Sequence, residues 1–204
     1  MKIAARSVLA ASVVSLAMLF SMIARVPVAH GQAAHIRWDI HHNTSFSPPT
    51  FEAGGFASAH ANDPSTITVT GSGTFVAPAG GNGSSSGVTG GGIWETFDGS
   101  HMSTGSGTYQ VTGLVRWDEA PGSFGPGVID NIAPIANARA GLAVLRVEYS
   151  DGEHGVLTIS CELDGSPASI FEGITASKGF VDYWNRVAPV PNVDGNRTNF
   201  HVVH

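Results

Sequence analysis

The chain has 204 residues, of which 13% are charged and 26 are glycine; that is about half the usual charged share and nearly double the usual glycine share of roughly 7%. Low charge with abundant Gly, Thr, Ser and Val argues against a helical bundle and for strands joined by tight turns. All 16 acidic residues and seven of the ten basic ones lie beyond position 33, so that part carries 7 − 16 = −9. Without a basic patch, nucleic acid and anionic membrane are poor partners.

Lys2 and Arg6 open the chain, residues 7–23 follow without a charge, and Gly31-Gln32-Ala33 places small residues where a signal peptidase reads. Residues 1–33 therefore read as a secretory signal peptide. A retained anchor is the weaker reading, because the 17-residue run is followed closely by Pro27, His30 and Gly31 and sits at the short limit for crossing a bilayer. Cleavage leaves 204 − 33 = 171 residues, a single domain with enough core to fold without metal or disulfide. The protein is expected outside the cell, or in the periplasm of a Gram-negative host, with no membrane association after cleavage.

Residues 34–50 are polar and read as an irregular arm, and 51–204 as the β-rich domain. Expected strands are 51–59, 66–76, 92–97, 107–118, 139–149, 155–163, 170–177 and 198–203. Within 107–118, Tyr109, Val111, Val115 and Trp117 share one parity, and Thr108, Gln110, Thr112, Arg116 and Asp118 the other, with Leu114 the exception. That alternation places one face on a core and one in water.

Ser150-Asp151-Gly152 lies between two such runs. A two-residue loop would set Leu145 opposite Thr158 and mix the faces. A three-residue loop with Gly152 left-handed sets Leu145 opposite Leu157, Ala143 opposite Ile159, Gly141 opposite Cys161 and Glu148 opposite His154. The second register is the expected one.

The run Thr70-Gly71-Ser72-Gly73-Thr74-Phe75 recurs as Thr104-Gly105-Ser106-Gly107-Thr108-Tyr109. Either a degenerate strand repeat or shared Gly/Thr composition accounts for it. Residues 77–92 read as a flexible Gly/Ser loop, and 119–138, with three prolines, as a long lid, binding loop or excursion. Phe180, Tyr183 and Trp184 have the spacing of a short helix and read as core plugs. Cys161 is the single cysteine and reads as a small buried strand residue.

No constellation specifies a reaction. Asp39-Ile40-His41-His42, His60 with Asp63, and His201 with His204 carry metal-ligand chemistry, but no spacing matches a metal signature and they read as solvated side chains in mobile termini. No metal or cofactor is expected. Gly83-Ser84-Ser85-Ser86-Gly87 matches a nucleophile elbow inside a Gly/Ser tract with no helix after it. Asp118 and Glu119 end a strand but point to opposite faces, so acid–base catalysis needs a partner such as Glu95, Asp98 or Glu172. Tyr109, Trp117, Tyr149 and Trp94 lie on expected strands, either as core or lining an apolar ligand cavity. Sequons begin at Asn43, Asn82 and Asn196, in expected loops.

The reading is an all-β single domain of about eight mostly antiparallel strands, a small β-barrel first and a β-sandwich second. The leading functional expectation is a secreted non-catalytic module that binds a small apolar ligand or a glycan. The alternatives are a secreted enzyme, either a hydrolase or a barrel-type cyclase or isomerase using acidic residues, and an extracellular structural protein.

Overall fold

The computed structural model describes residues 33–78 and 84–203. Residues 1–32 of the expected signal peptide, Asn82 of the second sequon, Gly83 of the elbow motif and His204 lie outside the described residues. The chain is all-β. Strands β1 (His35–Phe46) and β2 (Pro49–Ala53) open it, followed by β3 (Phe56–His60), β4 (Thr66–Thr70), β5 (Ser72–Val76), β6 (Val88–Phe97) and β7 (Ser103–Ala120). β8 (Ile129–Asp130) and a 3-10 turn at Ile135–Asn137 occupy the connection to β9 (Ala138–Tyr149). β10 (His154–Cys161), β11 (Gly173–Lys178), β12 (Val181–Tyr183), β13 (Asn185–Arg186) and β14 (Thr198–Val203) complete the order.

Six strands close an antiparallel barrel in the order β1-β5-β6-β7-β9-β14. The other eight bond outside it. The expected barrel is present, with more and shorter strands than the sequence suggested. The run 66–76 shows why. β4 and β5 both pair with β6 in one unbroken register, Thr66 opposite Phe97 through to Phe75 opposite Val88. Between them Gly71 has φ +150°, and a Cβ there would stand 2.3 Å from the Tyr109 hydroxyl. The kink lets one edge serve two neighbours, β5 joining β1 in the barrel and β4 joining β3 outside it. The run 51–59 is likewise split at Gly54-Gly55, where a Cβ on Gly55 would lie 1.9 Å from the His41 carbonyl oxygen.

Residues 34–50 are not an irregular arm. Ile36, Trp38 and Ile40 of β1 are fully buried, and β1 is a barrel stave paired with β14 on one side and β5 on the other. The alternation Ile36, Trp38, Ile40 against Arg37, Asp39, His41 is a strand pattern whose second face is polar.

The hairpin β9–β10 has the expected register, with Leu145 opposite Leu157, Ala143 opposite Ile159, Gly141 opposite Cys161 and Glu148 opposite His154. Gly152 has φ +87°. Lys178 reaches over this turn, donating to Asp151 at 2.5 Å and to Glu153.

Strand β7 departs from simple alternation. Register shifts between Val111 and Gly113, and between Leu114 and Arg116, are bulges, each advancing the pleat by one residue. Leu114 therefore turns inward, fully buried, and Val115 outward. The one residue that broke the sequence pattern marks the bulges. Phe180, Tyr183 and Trp184 form no helix; Val181–Tyr183 is an edge strand. Only Tyr183 is a core plug, while Phe180 and Trp184 stand exposed.

The two copies of the Thr-Gly-Ser-Gly-Thr run both flank β6 but are not equivalent. The first turns the corner at Gly71 and the second is a continuous part of β7. They meet where the Tyr109 hydroxyl donates to the Thr70 carbonyl at 2.7 Å. Cys161 is buried on β10, and burial pushes its thiol pKa up.

Candidate functional site

The two faces of the β1–β14 pair are both buried, and they are chemically opposite. The barrel face carries Ile36, Trp38, Ile40 and Phe200, with Phe200 packing on Trp117 at 4.7 Å between ring centroids. The outer face carries Arg37, Asp39 and His41 from β1, and Asn199 and His201 from β14, with Asp39 opposite Asn199 and Arg37 opposite His201.

A polar face can be buried only under groups that satisfy it. The cover is the connection 121–137, whose β8 lies parallel to β2, with Thr50 opposite Ile129. Asp130 of β8 meets the His201 Nε2 at 2.6 Å, and both side chains are buried. Burial works to raise the Asp130 pKa, but His201 and the backbone N–H groups of Ile132 and Ala133 hold it below the usual carboxylate value. Arg37 grips Asp39 with two 2.7 Å bonds. Burial nevertheless pushes the Asp39 carboxyl up.

Where this polar layer ends, a pocket of about 370 Å³ opens between the barrel and its cover. β1 supplies His41 and Asn43, and β2 supplies Phe51. The connection supplies Phe124 and Val128. Glu162 and Leu163 follow β10, Glu172 precedes β11, and Arg197 leads into Thr198 of β14. One wall is aromatic, with His41 on Phe51 at 4.5 Å and Phe51 on Phe124 at 5.1 Å. A backbone bond from His41 N to Arg197 O at 3.1 Å fixes the β1 side against the β14 side.

Three buried polar atoms on this wall have no hydrogen-bond partner among the described residues: His41 Nδ1, Asn43 Oδ1 and Arg197 Nε. Burial, helped by the Arg197 charge, pulls the His41 pKa down to about 4, so the ring is neutral at pH 7. Glu172 accepts the backbone N–H of Glu162 at 2.8 Å and of Thr198 at 2.5 Å. Burial still pushes its carboxyl up to about 8 against those bonds. The convergence of these groups on one cleft makes it the candidate site.

The residues singled out from sequence are distributed differently. Trp117 belongs to the barrel cluster with Phe75 and Phe200. Trp94, Tyr109 and Tyr149 form a second aromatic group in the same core, with centroid distances of 5.8 and 6.2 Å. All four are buried, and none of them lines the large pocket. Their polar atoms are spent on backbone carbonyls: Trp94 on Thr108, Tyr109 on Thr70 and Tyr149 on Ser177. Tyr109 and Tyr149 also border a smaller, more polar surface pocket.

Asp118 pairs with Arg116 at 2.5 Å and Glu119 with Arg139 at 3.3 Å, both partly exposed. Of the partners considered for them, Glu172 lies in the large pocket, while Glu95 sits on β6 and Asp98 at the turn after it. His41, Asp39 and His201 are not solvated termini but buried strand residues. His42 is exposed and meets Asp194 at 2.5 Å, and His60 meets Thr66 at 2.8 Å. No group of three or more His, Cys, Asp or Glu side chains among the described residues is placed to hold a metal. Ser85 bridges to Leu114 in extended backbone, with no helix behind it. Asn43 lies on β1 against the pocket rather than in a loop. The Asn196 Oδ1 already accepts the Ser58 N–H at 2.8 Å.

Arg197, Asn199 and Asp130 were not signalled by motif. The period-2 pattern of 35–41 and of 198–203 carries the usable signal, since Asn199 and His201 alternate with Thr198 and Phe200. Comparison with protein-family models, with curated proteins and with solved structures finds no match.

Proposed function

We propose that this protein is an exported, non-catalytic module that binds a small, largely apolar molecule in the pocket between the barrel and the connection 121–137. The observation that carries this reading is the wall itself. Phe51, Phe124, Val128 and Leu163 offer apolar area beside three unpartnered buried polar atoms. That mixture suits a ligand with an apolar body and one polar group. The basic start, uncharged run and small-residue processing site of 1–33 support export.

A second reading, glycan stacking, is favoured by Phe180 and Trp184. They share a parity at the two ends of edge strand β12 and are 107% and 68% exposed. Aromatic rings presented this way suit sugar faces.

Backbone amide NMR with a panel of small aromatic fragments and oligosaccharides separates the two. Fragment-induced shifts at 41–51, 124–128, 162–172 and 191–198 are expected. Shifts confined to 178–185 with oligosaccharides would move the function to β12, and silence at the pocket with every fragment would overturn the first reading.

A further inference from the structure

We infer that the pocket takes a small organic acid, a carboxylate carried on an apolar or aromatic body. The inference rests on the pocket being a binding site and names what it binds.

Arg197 brings a permanent positive charge to the pocket. Its Nε is buried without a partner, and the hydrogen bond it makes runs from Nη2 to the Val190 carbonyl at 3.2 Å. Among the described residues no carboxylate lies within ion-pair distance of it. Glu172, in the same pocket, has both oxygens committed to the backbone N–H groups of Glu162 and Thr198. A half-buried guanidinium without an anion carries an uncompensated desolvation cost. A ligand carboxylate offsets that cost, since a planar carboxylate matches the guanidinium fork.

The remaining wall selects the body of the acid. Phe51 and Phe124 present tilted rings at 5.1 Å, which suit an aromatic or alkyl group. His41, nine-tenths or more buried with Nδ1 free, stands between the charged and apolar sides. A neutral ligand would fill the apolar wall but leave Arg197 as it is.

The charges facing the carboxylate also set its pH range. Arg197, His41, Glu172 and Glu162 all line the pocket, and the Arg197 charge acts on both His41 and Glu172; Asp130, Asp194 and His201 act on His41 from the neighbouring strands and loops. As pH rises through about 8, Glu172 gains a negative charge and affinity for the acid falls.

The test is calorimetric titration of the protein, as its host produces it, with 4-phenylbutyrate and with 4-phenylbutanamide at pH 6.5. The acid is expected to bind about tenfold tighter or more, a difference of about 1.4 kcal/mol. Arg197→Gln should reduce the acid to the affinity of the amide. Asn43→Asp, which places a carboxylate against the incoming one, should weaken the acid and spare the amide; it decides the matter if the arginine variant does not fold. Equal binding of acid and amide would overturn the assignment of an acid and leave the pocket reading intact. No binding of either to the folded protein would overturn both.

Discussion

The two faces of the β1–β14 pair are both largely covered, with Arg37 on the outer one keeping 34% of its side chain exposed, and they differ in what covers them. The barrel face is held by shape: Trp117, Phe75 and Phe200 interlock at 4.7 to 6.3 Å, and any partner of the right volume would serve. The outer face is held by pairing. Arg37 with Asp39 and His201 with Asp130 account for most of its charge, and the connection 121–137 is docked by one of those pairs. Packing tolerates change in kind better than change in size, whereas taking one partner from a buried polar pair leaves the other desolvated and unpaired. Asn199 and His201 within that layer keep unpartnered side-chain atoms, and at its end, where His41, Asn43 and Arg197 each leave one more, the pocket begins. In the proposed function, stability and binding are drawn from opposite sides of the same two strands.

The largest effect expected from breaking this contrast is on the barrel face. Phe200→Ala should cost about 3–5 kcal/mol, as truncation of a buried aromatic usually does. Denaturant unfolding measures it, and ligand affinity of the surviving folded fraction should be unchanged. On the outer face, Asp130→Ala leaves the buried His201 Nε2 without its partner and should cost about 1–3 kcal/mol. It should also free the connection that carries Phe124 and Val128, so fragment binding should weaken more than stability does. Equal loss of binding in both variants would dissolve the contrast.

Glu172→Gln sharpens it through pH. The Glu172 carboxyl is raised from 4.5 to about 8, so the folded state holds its proton more tightly than the unfolded chain. Its contribution is fully present below pH 4.5 and is lost as pH rises towards 8. His41 has the opposite sign. Its pKa falls from 6.5 to about 4, so its contribution is present above 6.5 and lost on acidification. The two slopes oppose each other between 4.5 and 6.5. Above 6.5 the Glu172 slope acts without that opposition. Glu172→Gln should lose one of the two backbone bonds, about 1–3 kcal/mol, and should remove the fall in stability between pH 6.5 and 8 seen by urea titration. The smallest effect is expected at Asp118→Ala, where a partly exposed pair with Arg116 is worth about 0–1 kcal/mol; binding should not change.

How much of this was legible in the sequence follows the same division. The hairpin at Gly152 was readable because only one register keeps Leu145, Ala143 and Gly141 with apolar partners. The all-β class was readable from the low charge and the Gly, Thr, Ser and Val content, while composition alone left barrel and sandwich both open. β1 was misread because its outward residues are charged, and charge was taken for exposure; alternation at 35–41 is a strand pattern whichever way the polar face points. The Gly71 corner was hidden, since it depends on which neighbour each edge meets, whereas the bulges in β7 left one trace, Leu114 out of step with the alternation. The pocket was the least legible part, because its wall comes from six separate stretches of chain and no two of its charged residues are close in sequence.

The claim that matters most is that the side pocket holds a buried neutral imidazole that a ligand meets. It is tested by following the His41 ring resonance through a pH titration, assigned by comparison with His41→Gln, without and with 4-phenylbutyrate. The account predicts a midpoint near 4 in the free protein, and a shifted resonance when the acid is added. A ring that titrates at the ordinary histidine value of 6.5 and ignores the acid would contradict it.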